Sequence, residues 1–128
     1  MASLQEIDST KDREGAWFLH AHGWSVKVRP IDSPIVEEAF RAEGAAFRAR
    51  AAKDTLTDED FRVIETRVLA SAVLADWRGI DQAPTYGVDK AVELLSNPGL
   101  RRFRQFVKSC AMNETEFLAK AEAAALGN

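Results

Sequence analysis

Apolar and polar residues alternate strictly over Trp24-Ser25-Val26-Lys27-Val28-Arg29, which is the period of a half-buried strand. Just ahead, Ala16-Trp17-Phe18-Leu19-His20 is bulky and aromatic. Ala21-His22-Gly23 makes a tight connection in which Gly23 takes a positive φ. Together they predict a β-hairpin over 16–29, closed by Pro30. An isolated hairpin is barely stable in water, so its Trp/Val face must rest on helices.

After Pro30 the period lengthens to that of helices. Ser33-Pro34 reads as an N-cap followed by proline at the first helical position, with Glu37-Glu38 at the positive end of the dipole. Val36, Phe40, Gly44, Phe47 and Ala51 form its inward stripe. Asp54-Thr55-Leu56 is a break, and Thr57-Asp58-Glu59-Asp60 a second start signal. Phe61, Ile64 and Val68 open an apolar face that widens into the uncharged run Val68-Leu69-Ala70-Ser71-Ala72-Val73-Leu74-Ala75. A helix apolar on all faces must be enclosed by other chain, so this stretch is expected to be the axis of the fold. Gly79 is expected to end it in a left-handed cap, with Ile80 folding back on Leu74. A short helix is predicted from Val88 to Ser96. The next is capped by Asn97 ahead of Pro98, with Leu100, Phe103, Phe106, Val107, Cys110 and Ala111 facing inward. Asn113-Glu114-Thr115-Glu116 announces a last helix carrying Phe117, Leu118, Ala121, Ala124 and Ala125, which stops before Gly127.

The expected class is α+β, mostly α: an N-terminal β-hairpin packed on a bundle of about five helices. Residues 1–14, polar and without periodicity, read as a flexible lead-in. Residues 15–128 read as a single domain, with the hairpin at 15–30 and the helical part at 33–126.

Length and composition narrow the function. A chain of 128 residues with 46% hydrophobic and 29% charged residues supports one globular core. A formal net charge of -3 argues against a protein dedicated to coating nucleic acid or anionic membrane. The one cysteine, Cys110, has no internal disulfide partner and suits a reducing compartment. The first residues lack the basic and apolar regions of a signal peptide, and the 68–75 run is too short to span a bilayer. No membrane association is expected.

Candidate sites are few. His20 and His22 would project from one face of a strand as two metal ligands could, but zinc sites take at least three protein ligands, and nothing in the spacing supplies the third. Two polar residues at a hairpin tip is the simpler reading. Leu56 to Phe61 resembles the entry of a calcium loop without the glycine and closing glutamate that such a loop needs. Arg101, Arg102, Arg104 and Lys108 form a basic patch on the helix at 98–111, beside Phe103 and Phe106. It reads as a contact for a partner protein, or, as an alternative, for nucleic acid in a small regulatory binder. Cys110, on the apolar stripe, reads as an inert buried thiol. Trp77 reads as a core plug rather than an exposed anchor. No P-loop, dinucleotide fingerprint, nucleophile elbow or two-histidine helix occurs, so no catalytic residues, metal or cofactor are assigned.

The order of several short motifs does carry information. Gly15-Ala16-Trp17-Phe18, Val26-Lys27-Val28-Arg29-Pro30, Asp76-Trp77-Arg78-Gly79-Ile80, Ala91-Val92-Glu93-Leu94-Leu95, Phe106-Val107 and Phe117 follow one another over residues 15–120. In this order the chain resembles the tail assembly chaperones of long-tailed bacteriophages and prophages, in which a central helix ends in Trp-x-Gly-aliphatic. The loop from Ile80 to Tyr86 is shorter than is usual in that family, and Gly87 comes late. The resemblance implies a non-enzymatic protein that binds the tape measure protein, with tail tube subunits as a further candidate client and a homo-oligomer as a candidate state. It implies action in the host bacterial cytoplasm and absence from the mature virion. Trp77, Gly79, Leu94 and Leu95 would then be structural motif positions, and Arg101, Arg102, Arg104, Lys108, Phe103 and Phe106 the candidate contacts.

Overall fold

A computed structural model describes residues 3–51 and 55–119. The described elements are α1 (Ser9–Glu14), β1 (Ala16–Leu19), β2 (Ser25–Val28), α2 (Pro34–Ala51) and α3 (Asp58–Val68). A single π-helical turn (Leu69–Val73), β3 (Leu74–Arg78), α4 (Val88–Ser96), a 3-10 turn (Pro98–Leu100), α5 (Arg101–Ala111) and α6 (Glu114–Phe117) complete them. The protein is α+β and mostly helical, as the periodicities predict.

The start signals behave as their chemistry requires. The Ser33 hydroxyl accepts from the Val36 N–H at 3.4 Å. Thr57 and Asp60 form a reciprocal capping box, each side chain accepting from the other's backbone N–H, at 2.8 and 3.2 Å. Asn97 Oδ1 accepts from the Gly99 N–H at 2.8 Å and Asn113 Oδ1 from the Glu116 N–H at 3.3 Å.

The central segment departs from expectation. It does not run as a helix from Thr57 to Gly79. α3 ends at Val68, passes through the π turn, and the chain then extends as β3 along β2. The sheet is therefore three-stranded, antiparallel, in the order β1-β2-β3. Ala16 faces Val28 and Phe18 faces Val26; Val26 in turn faces Trp77, with an irregularity between Lys27 and Val28. The cause lies in the carbonyls at the end of the helix. Tyr86 Oη donates to Ala70 O at 2.7 Å, Arg29 Nη1 to Ala72 O at 2.7 Å, and the Arg29 N–H to Val73 O at 2.8 Å. These donors satisfy oxygens that a continuing helix would have used. Extension then buries Leu74 and Trp77 and turns Arg78 outward. Burial holds the Tyr86 phenol above its ordinary pKa, so it stays a donor.

Gly79 does take a positive φ, 75°, but it follows a strand rather than capping a helix. A Cβ there would stand 3.4 Å from the Gly23 carbonyl, so Gly79 lets the chain after β3 pass close to the hairpin turn. Gly23 has the positive φ expected of it, 96°.

The N-terminal stretch is more than a lead-in. Asp8 caps α1, its carboxylate accepting from the Thr10 and Lys11 N–H groups. Ile7 forms an antiparallel bridge with Leu118, supported by Asp8 N–H to Phe117 O at 2.8 Å and Ala119 N–H to Glu6 O at 2.7 Å. Leu118 is thus in extended chain, not in the last helix as expected. The rest of that predicted helix, 120–126, lies outside the described residues.

Beneath the sheet, Val26, Val28, Val36, Val68, Leu69, Val73, Leu74, Leu95, Val107 and Phe117 are fully buried. Trp77, 2% exposed, donates its indole N–H to Ala83 O at 2.7 Å. Replacing it with phenylalanine leaves that buried carbonyl unpaired. Trp77→Phe is expected to lower the unfolding free energy by about 1–3 kcal/mol, measured by urea denaturation; an unchanged midpoint would contradict this packing.

Candidate functional site

The expected basic patch divides in two. Arg104 is not on a solvated face: it is 4% exposed and lies on the buried line of α5 with Val107 and Ala111. Its Nη1 donates to Thr66 Oγ1 at 2.5 Å and to Leu95 O at 3.3 Å. Its Nη2 donates to Glu65 Oε1 at 2.7 Å and to Arg62 O at 3.4 Å. One guanidinium thereby ties α5 to α3 and α4. Lys108 Nζ joins the same Glu65 oxygen at 3.2 Å. Arg101 and Arg102 remain exposed, Arg101 donating to Pro98 O at 3.2 Å.

Glu65 shows how the network is balanced. Burial works to raise its pKa. The hydrogen bonds and positive charges of Arg104 and Lys108 oppose this and prevail, holding the carboxyl below its usual range. The stability contributed by this ionisation is complete above the unfolded carboxylate value, about 4.3, and is lost as pH falls through the depressed folded value.

Phe103 and Phe106, read as partner contacts, are half-buried and hold the hairpin tip onto α5. The Trp24 ring meets Phe103 at 5.5 Å and Phe106 at 5.1 Å between centroids. His20 stacks flat on Trp24 at 4.2 Å, with Phe106 at its edge, 4.9 Å away. His20 Nδ1 accepts from the His22 N–H at 3.1 Å, so one ring nitrogen is already engaged in the turn. Among the described residues no group of three or more His, Cys, Asp or Glu is placed to hold a metal. The Asp60 carboxylate of the calcium-like stretch serves the capping box. Cys110 is buried, and burial pushes its thiol up to about 12, far from a reactive thiolate.

Where the hairpin tip, the loop after β3 and the start of α5 converge, they frame an open groove of about 610 Å³, a size typical of ligand clefts. Trp24, Ile80, Leu94, Leu100 and Phe103 supply its apolar floor; His20, His22, Asp81, Gln82 and Arg102 stand around it. Of the expected contact residues, the groove brings together Arg102 and Phe103. Phe106 sits behind it, while Arg104 and Lys108 are engaged with Glu65. Of the four motif positions, Gly79 and Leu94 border the groove and Trp77 and Leu95 are buried in the core. The contribution of the hairpin tip and of Ile80 and Gln82 has no local sequence signal, since it depends on β3 pairing with β2. No described helix is long and apolar enough to cross a membrane.

These features define a small α+β protein whose described residues form an apolar-floored groove where the hairpin tip, the loop after β3 and the start of α5 meet. Residues 31–128 match the family model of the YdaY prophage protein, and the chain belongs to that family. It is therefore a phage-related, prophage protein. No curated protein and no solved structure matches it.

Two expected outcomes follow from the Arg104 network. Arg104→Ala should lower unfolding free energy by about 3–5 kcal/mol, the range for breaking a buried ion pair, whereas Arg102→Ala should stay within about 0.5 kcal/mol; chemical denaturation distinguishes them. In thermal melts against pH, the stability gap between wild type and Glu65→Gln should narrow as pH falls below about 4. A gap constant with pH would show that Glu65 ionisation is not what stabilises the network.

Proposed function

We propose that the protein is a phage tail assembly chaperone. It holds the tape measure protein, with tail tube subunits as a second candidate client, in the host bacterial cytoplasm and leaves before the virion is complete. It acts by binding, without turnover. The observation that carries this reading is the apolar-floored groove in a protein of a prophage family; the ordered motifs over 15–120 add the tail-assembly assignment. A chaperone for a long helical client needs a surface that takes apolar side chains and releases them, and open grooves with polar rims serve that purpose. Nucleic-acid binding through the 98–111 helix is the weaker alternative, because Arg104 and Lys108 are spent on Glu65.

The test is co-expression with the tape measure protein encoded by the same prophage. The expected result is co-purification of the two and a larger soluble fraction of the client. Failure of both, with a retarded DNA or RNA band at low salt, would favour the nucleic-acid reading.

A further inference from the structure

We infer that the groove receives an amphipathic helix carrying acidic residues beside its apolar face, with an acid of that helix pairing with Arg102. This rests on the chaperone reading for the identity of the client but not for the chemistry of the groove.

The occupant is helical because the groove offers no strand edge. Its walls are side chains from a turn, a loop and α5. On β3, an outer strand, the Trp77 N–H is already taken by Asp76 Oδ1 at 2.8 Å. A segment docking here receives no backbone ladder from the protein, and a helix meets that condition because it already satisfies its own N–H and C=O groups. Its apolar face meets Trp24, Leu100 and Phe103.

Charge complementarity sets the rest. The chain is acidic overall, with a net charge of -3, yet the α5 side of the groove is positive. Arg102 is exposed there and, among the described residues, has neither a hydrogen-bond nor an ion-pair partner. Arg101 stands next to it, and the first turn of α5 contains no acid to offset the helix dipole. Asp81 on the facing loop is the one acid lining the groove. The balance favours an incoming carboxylate, and Asp81 weakens that preference.

Two fluorescently labelled helical peptides of one pattern, leucines along one face flanked by glutamates or by lysines, test this by anisotropy. Wild type should bind the glutamate peptide about tenfold more tightly at low salt, with the difference shrinking as salt is added. Arg102→Glu should reverse the preference, and Asp81→Asn should tighten the glutamate peptide; both sites are exposed, and far-UV circular dichroism checks the fold. Equal binding of the two peptides, binding of neither, or a preference untouched by Arg102→Glu would overturn the assignment. If the glutamate peptide binds as described but the tape measure protein does not, the groove chemistry stands and the chaperone reading falls. If the tape measure protein binds wild type and Arg102→Glu alike, the reverse holds.

Discussion

The carbonyl oxygens of Ala70, Ala72 and Val73 accept hydrogen bonds from Tyr86 and Arg29, residues distant in sequence, and the architecture follows from this diversion. Once those oxygens are satisfied from outside, the helix has no reason to continue, and the chain leaves it through a wide turn. Leu74–Arg78 then completes the sheet, and Trp77 enters the core from a strand. Gly79 carries the chain against the hairpin turn. Without that diversion the hairpin would have no third strand, and the loop bearing Ile80, Asp81 and Gln82 would not reach the groove.

The same economy of partners governs the cations of α5. Arg104 is committed to holding three helices together and Lys108 shares its carboxylate, so Arg101 and Arg102 are the α5 cations left without a carboxylate partner among the described residues. What looks from composition like one basic surface is a structural tie and a small exposed pair. Losing the partners of this buried guanidinium would leave a charge uncompensated in the interior, which is costly.

Much of this was legible in the residues. Cap chemistry placed the starts at Pro34, Asp58 and Glu114 because each is a local contest that the backbone settles within one turn. The 57–79 segment misled for a physical reason: a stretch apolar on every face satisfies burial as a helix or as a strand, and the deciding donors lie at positions 29 and 86. A weak clue was present in Ala75-Asp76-Trp77-Arg78, where the period is already two. Arg104 could have been recognised as interior, since it lies four residues after Leu100 and three before Val107, in the middle of the apolar stripe. The groove could not be read this way, because its walls meet only through tertiary pairing. The N-terminal bridge to Leu118 likewise has no local signature.

Asp76 has one more effect. On an outer strand the backbone is ordinarily an invitation to further strands, and accretion of identical copies begins there. By folding its carboxylate onto the neighbouring amide, Asp76 occupies a donor that an arriving chain would need and places a negative charge in its path. One backbone donor at that margin is thereby withheld from an arriving strand, and the carboxylate beside it disfavours the pairing of further copies there.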